Sequence, residues 1–285
     1  MNKLRHLLFA VILFSFFSCE KEYSMENSVN NSTDLIVGID CRINKIVYTD
    51  TATNTGLGSI FAPINALDLV TKITKFDSLS NTIDFITSPT YSNDTIFINP
   101  DEYFVVDIIK RITKMHGLID PTDPFSLQFN VFYLYNTAGN LITKSYFLLA
   151  SPTAPFYQVN YTYSLGNLTH MTGIDLSTGN LVVDADMAYY GNIIPKRFLY
   201  IFPDENGYSN FSQFYNYGLK NFNAIKNMTI RNYDPGNVVR DSSVCSFSNY
   251  IMSRDTYVLS VQMKGDNQQS IPALAGKLSF FYKCK

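Results

Sequence analysis

The sequence predicts an all-β fold: an antiparallel hairpin meander forming one large, twisted, curled sheet, with one short helix near residues 209–218. Three observations predict it. From Leu35 onward apolar and polar residues alternate mainly with period two, the repeat of a half-buried strand. The chain has 20 Tyr and 22 Phe but no Trp, and these rings together with Thr, Ile and Val suit a pleated surface. Finally, Gly-Asn followed by an aliphatic residue recurs at Gly139, Gly166, Gly179, Gly191 and Gly236. Gly and Asn supply the positive φ of tight hairpin turns, and the aliphatic residue re-enters the sheet.

Taken in order, Arg42–Tyr48 reads as a strand, and Val70–Phe76 alternates as a second. Asp77–Asn81 and Ser92–Asp94 are turn sequences that precede strands at Thr82–Thr87 and Thr95–Asn99. Two readings compete over Asn99–His116. Asn99 with Pro100 resembles a helix start and Gly117 a stop, whereas Tyr103–Val106 is aromatic and β-branched and Arg111–Met115 alternates. The hairpin is preferred. Aromatic strands Phe132–Tyr135 and Tyr161–Tyr163 lead into the first two Gly-Asn turns. Ser209–Lys220 places Phe211, Phe214 and Tyr215 on one helical face, with Gly218 as a stop. Strands resume at Asn227–Asn232, Ser243–Tyr250, Tyr257–Met263 and Lys277–Tyr282.

The N-terminus sets the organisation. Lys3 and Arg5 precede an apolar run, Leu7–Phe17, too short to span a bilayer and suited to a signal peptide. Its end, Phe16-Phe17-Ser18-Cys19, resembles a lipobox, which implies cleavage before Cys19 and lipidation of that thiol. Residues 1–18 are then a lipoprotein signal peptide, and residues 19–33, rich in Asn and Ser, a flexible tether. Residues 34–285 form a single β-rich extracytoplasmic domain, large enough to bury a full core. Lipid on Cys19 makes the membrane a partner through its acyl chains. Loss of Lys3 and Arg5 moves the net charge from −2 to about −4, and no basic block exists, so nucleic acid is not a partner.

Three cysteines remain for the fold. Cys41 opens the domain and Cys284 nearly closes it, so a bridge between them would tie the chain ends. Cys245–Cys284 is a rival pairing, and three free thiols a third possibility.

Groups able to carry chemistry are sparse. His116 and His170 have no Cys, His or acid at the spacing of a zinc site, and no metal or cofactor is expected. Asp184 and Asp186 lie two apart on one strand face, where a carboxylate pair could serve hydrolysis if both entered one cleft. Asp175–Asn180 is a turn rather than a calcium loop, because it lacks alternating acids and a terminal Glu. No nucleophile elbow or phosphate-binding loop is present. Cys245 could act as a nucleophile only beside one of the histidines.

Cys41-Arg42-Ile43 with Ile46-Val47-Tyr48, Phe76-Asp77-Ser78-Leu79, Asp94-Thr95-Ile96 with Glu102-Tyr103-Phe104, and the closing Phe281–Lys285 resemble a family of Bacteroidota envelope lipoproteins. The Tyr-x-Tyr and Gly-Asn-Leu hairpins are similar to the tyrosine-rich, YD-type repeats of large bacterial surface proteins. The resemblance implies lipid anchoring to the outer membrane, on its periplasmic or its surface side. The Glu20-Lys21-Glu22 run after Cys19 is similar to the surface-export signal of that group. Asp50-Thr51-Ala52, Asp77-Ser78-Leu79 and Asp94-Thr95-Ile96 resemble its O-glycosylation signal, which implies Thr51, Ser78 and Thr95 as acceptors. The functional expectation is a non-enzymatic binding or scaffolding lipoprotein that meets a glycan or a protein. The alternatives are a glycan-binding accessory lipoprotein, which requires exposed rings in line, and a hydrolase built on Asp184 and Asp186.

Overall fold

The computed structural model describes residues 41–50, 56–77, 81–118, 127–196, 199–203, 211–265 and 276–284. The leader, the tether with Cys19, and the acceptor candidates Thr51 and Ser78 lie outside the described residues.

Seventeen strands form one antiparallel sheet among the described residues. They are β1 (Arg42–Asp50), β2 (Gly56–Phe61), β3 (Ile73–Asp77), β4 (Thr82–Thr87), β5 (Thr90–Ser92), β6 (Thr95–Asn99), β7 (Glu102–Val106), β8 (Ile112–Leu118), β9 (Gln128–Tyr135), β10 (Leu141–Leu148), β11 (Tyr157–Ser164), β12 (Asn167–Asp175), β13 (Leu181–Tyr189), β14 (Ile225–Asp234), β15 (Val238–Met252), β16 (Val258–Gly265) and β17 (Gly276–Lys283). Pairing follows chain order, and β17 returns to β1 with Asp50 opposite Gly276. The disputed stretch after Asn99 is the β6–β7–β8 meander, because β-branched and aromatic residues outweigh the Asn-Pro cap signal.

Between β4 and β5 the chain runs through Ser88-Pro89 without turn or bend. β5 thus continues the line of β4, with β4 laddered to β3 and β5 to β6. Proline has no N–H to give a ladder, which suits it to this interruption. Among the described residues the sheet is open here.

One face of the sheet is buried over most of its strands. Ile46, Ile73, Phe104, Val131, Val159, Met171, Phe247, Val261 and Leu278, from nine strands, form one core. The segment between β13 and β14 lies against this face and fills the curl. Its Phe214 carbonyl accepts from Arg42 Nη2 at 2.8 Å, and its Asn216 carbonyl from the Ile112 amide at 2.8 Å. Tyr215 packs on Phe104, Tyr217 on Tyr133 and Phe202 on Tyr161, at centroid distances of 5.4, 5.5 and 5.3 Å. Lys144, fully buried, sits 4.9 Å from the centroid of Phe202 and 5.6 Å from that of Tyr161.

This segment corrects two local expectations. In place of the helix near 209–218 there is a 3-10 turn, Phe211–Phe214. Phe214, Tyr215 and Tyr217 are all buried, so they do not share one helical stripe, and Gln213 is bonded to the backbone of Tyr200 on both sides of its amide. Gly191 lacks the positive φ seen at Gly139, Gly166, Gly179 and Gly236. Gly191-Asn192 opens the crossing segment instead of turning a hairpin.

The tyrosines close one rim. Tyr135, Tyr189, Tyr250 and Tyr282, each near the end of a strand, donate their hydroxyls to the carbonyls of Ile112, Leu168, Ile225 and Val258 at 2.6–2.7 Å. Each acceptor lies at the start of the preceding strand, so one latch serves one hairpin. Tyr91 makes the same kind of bond to Val70 O at 2.9 Å. Small residues admit other rings: a Cβ on Gly276 would lie 1.9 Å from the Tyr48 ring, and one on Gly173 2.1 Å from the Tyr157 hydroxyl.

Candidate functional site

The outward face is polar across most of the sheet. Ser145, Gln158, Asn160, Thr172, Asp186, Arg231, Ser246, Gln262, Lys264 and Lys277 all alternate with core residues. Over β6–β10 this changes. The registers set Phe97 opposite Tyr103, Tyr103 opposite His116, His116 opposite Asn130, and Asn130 opposite Phe147. A row of five side chains thus crosses five strands, about 19 Å at the usual strand spacing. In the next row Lys114 faces Phe132, and Phe132 faces Ser145. Phe132 and Leu134 are 46 % and 58 % exposed.

Contacts hold the strip in place. The Tyr103 and His116 rings stack at 4.9 Å, and Phe97 tilts against Tyr103 at 5.9 Å. Phe132 meets Phe147 edge to face at 5.4 Å. The Lys114 ammonium lies 5.9 Å from the Tyr103 centroid and 5.7 Å from that of Phe132. His116 Nδ1 and Asn130 Oδ1 are 3.0 Å apart, so the imidazole is oriented by the amide. Rings, an ammonium and an imidazole on one outward surface can bind a partner by stacking and by hydrogen bonds, while the buried Asn130 amide holds the imidazole in place. They form no acid–base or nucleophilic constellation.

The acids considered for hydrolysis sit elsewhere, on the outward face of β12–β14. Arg231 forks across both carboxylates, with Nη1 at 2.6 Å from Asp184 and Nη2 at 2.6 Å from Asp186. Tyr233 donates to Asp184 at 2.9 Å, and His170 Nδ1 lies 2.8 Å from Asp186. The Arg231 hydrogen bond, with His170 adding to it, holds the Asp186 carboxyl below the usual range against the opposing effect of burial. Glycosidase chemistry asks for one carboxyl held up instead, as a general acid.

Cys41 and Cys284 form a disulfide that joins the start of β1 to the end of β17, and Cys245 is a buried thiol that is not part of a disulfide. Neither histidine approaches Cys245: His116 and His170 lie on the outward face, Cys245 on the buried one. Thr95, first residue of β6, is half-buried and its hydroxyl donates to Asp94 at 3.1 Å. Among the described residues no group of three or more His, Cys, Asp or Glu could hold a metal. A cavity of about 220 Å³ lies by β1–β4, lined by Tyr48, Ile60, Phe76, Lys75 and Asp84 among others.

No family model matches the chain, and no curated protein matches it. Solved structures do. A porin-like protein from Bacteroides uniformis shares 10 % identity, with a TM-score of 0.56 over 85 % of this chain and 98 % of that one. A porin-like protein from Bacteroides vulgatus shares 12 % identity, with a TM-score of 0.49 and the same coverage of both chains. At such identity the first likeness concerns the fold.

The outward strip went unnoticed in the sequence although its signal was there. Phe97, Tyr103, Phe132 and Phe147 each occupy the parity opposite to the core residues of their own strand, such as Ile98, Phe104 and Val131. Assigning the faces strand by strand exposes them.

Proposed function

We propose that the chain is a lipid-anchored protein of the cell envelope whose β domain stands in water and binds a macromolecule through the β6–β10 strip. The observation that carries this reading is the alternation itself. A lipid-facing barrel turns an apolar band outward and a polar lining inward; this sheet does the reverse and fills its curl with the segment before β14. The porin-like name belongs to the similar Bacteroides structures, and it implies no aqueous channel in this chain. Cys19 supplies the anchor in this reading.

A non-enzymatic role is supported by the ion cluster around Arg231, which orients Asp184 and Asp186 toward the guanidinium. The strip favours a glycan as one partner class, because exposed Phe97 and Phe132 alternate with hydrogen-bonding His116 and Lys114. An aliphatic protein surface would use Phe132 and Leu134 more than the polar groups. A glycan array and a pull-down with the purified chain test the reading. Phe132→Ser with Leu134→Ser should abolish any specific binding, at least tenfold in Kd. Binding unchanged by that pair would remove the strip as the site. Loss on Tyr103→Ser and His116→Ala as well would assign a glycan.

A further inference from the structure

We infer that the rim closed by the tyrosine latches is a membrane contact, whose apolar turn tips rest in the headgroup layer of an anionic bilayer. This is the rim where β1 begins and β17 ends, and it holds the turns before β3, β8, β10, β12 and β16. The three most exposed large aliphatic side chains among the described residues all stand on it: Ile108 at 96 %, Leu165 at 91 % and Leu67 at 78 %. Ile109 and Phe222, each more than half exposed, add to the same surface.

The fold itself does not call for these side chains. Leu165 and Gly166 both have positive φ, 50° and 77°, values of a two-residue hairpin turn that favours Asn-Gly. A leucine is strained there, and its side chain buries almost nothing in return. The turns at Ile108 and Leu67 are held by Asp107 and Asn65, whose side-chain oxygens accept from the Ile109 and Leu67 amides at 3.0 and 2.9 Å. A local preference broken without a packing gain marks a functional position. The tips are also fixed in place through the segment before β14. Asn216 Nδ2 donates to Ile109 O at 3.3 Å, and the Phe222 amide to Gly166 O at 3.1 Å. Arg42 ties Asp68 O to Phe214 O at 2.7 and 2.8 Å.

Charge and the path of the chain select a bilayer as the occupant. Lys72, Lys110, Lys226 and Arg254 are exposed on this rim. Of its acids, Asp68 and Asp107 are bonded to Arg42 and Arg111, leaving Asp94 and Asp255. At the opposite end β1, β3, β12 and β14 each finish in an aspartate, Asp50, Asp77, Asp175 and Asp234. The chain from Cys19 enters the fold at Cys41, on the basic rim, so a lipid on Cys19 would bring this end to the bilayer first. That orientation rests on the lipid-anchor reading, whereas the affinity of the rim for lipid does not. Apolar tips among cations partition into the interface with a strength set by apolar area and by attraction to anionic headgroups. A contact of this size orients an anchored domain, leaves the strand surfaces in water, and is too small to hold a free domain on a membrane.

Flotation of the mature chain, residues 19–285 carrying Cys19→Ala, with vesicles of equal parts phosphatidylethanolamine and phosphatidylglycerol tests the rim without the anchor. Weak, salt-sensitive co-flotation is expected at high lipid concentration. Ile108→Asn/Leu165→Asn should reduce it about tenfold, and Val238→Asn, at a residue 62 % exposed on the opposite end, should leave it unchanged. Asparagine suits both turns, so the unfolding midpoint of the double variant should not fall. A fluorophore on Leu165→Cys should be quenched by brominated lipid, and one on Val238→Cys should not. No co-flotation at any lipid concentration, co-flotation indifferent to the rim pair, or equal quenching at the two ends would each overturn the proposal. Because the vesicle assay dispenses with Cys19, its result is distinct from the fate of the anchor reading.

Discussion

The tyrosine hydroxyls show how single residues decide this fold. Tyr282 is fully buried and donates to Val258 O, at 2.7 Å, where no water can replace it. Tyr282→Phe keeps the ring and orphans that carbonyl, so denaturant unfolding should report a loss of about 1–3 kcal/mol. Burial pushes Tyr91 from its ordinary value of 10.0 up to about 12, and desolvation moves the other latching tyrosines the same way. A phenol whose pKa is raised on folding contributes stability that is complete below its unfolded value and is lost as pH rises through the folded one. The latches should therefore hold undiminished at any pH below the ordinary phenol value, and above it phenolate absorbance should rise together with unfolding. Free ionisation of these phenols in a still-folded protein would show that they are not latched. Gly276 makes the complementary point: with the Tyr48 ring over it, Gly276→Ala should cost about 1–3 kcal/mol by overpacking, seen as a lower unfolding midpoint.

Elements in this molecule are short and depend on closure. Strands of three to fifteen residues become a domain because β17 returns to β1 and the segment before β14 fills the curl. The Cys41–Cys284 bridge spans 243 residues of sequence, and in the loop-entropy model it stabilises the fold by about 5 kcal/mol. Reduction should lower the denaturant midpoint without changing the β-sheet spectrum, and an unchanged midpoint would mean that the seam is held by pairing alone. Phe202 tests the filling segment: Phe202→Ala removes a ring packed between Tyr161, Tyr200 and Tyr217 and should cost about 3–5 kcal/mol. Strands were legible in the sequence because period-two alternation and Gly-Asn turns are local signals. The filling segment was not, since Phe214, Tyr215 and Tyr217 sit in a core whose other side is built by distant strands; Tyr215 and Tyr217 find their ring partners on β7 and β9, more than seventy residues earlier in the chain. The Gly191 turn failed for a similar reason, because the chain beyond Asn192 is bonded at Ile193 O to the Ala224 amide and at the Lys196 amide to Thr256 O, contacts that the local Gly-Asn pair does not reveal.

At the scale of the whole molecule, burial and exposure carry the proposed function. All-β architecture and the meander could be read from composition and spacing, whereas which parity faces inward depends on how the sheet curls. That is why the outward placing of Phe97, Tyr103 and Phe132 was not part of the sequence reading, and why Asp184 and Asp186 could be considered for hydrolysis before Arg231 came between them. An apolar, filled inside and a mostly polar outside support our proposal of a domain that stands in water, displayed from a membrane by its N-terminal lipid. Fractionation of membranes carrying the Cys19→Ala chain measures this most directly. The folded protein should leave the membrane and remain soluble without detergent. Retention of the folded variant as an integral membrane protein, extractable only by detergent, would contradict both the anchor and the wet exterior.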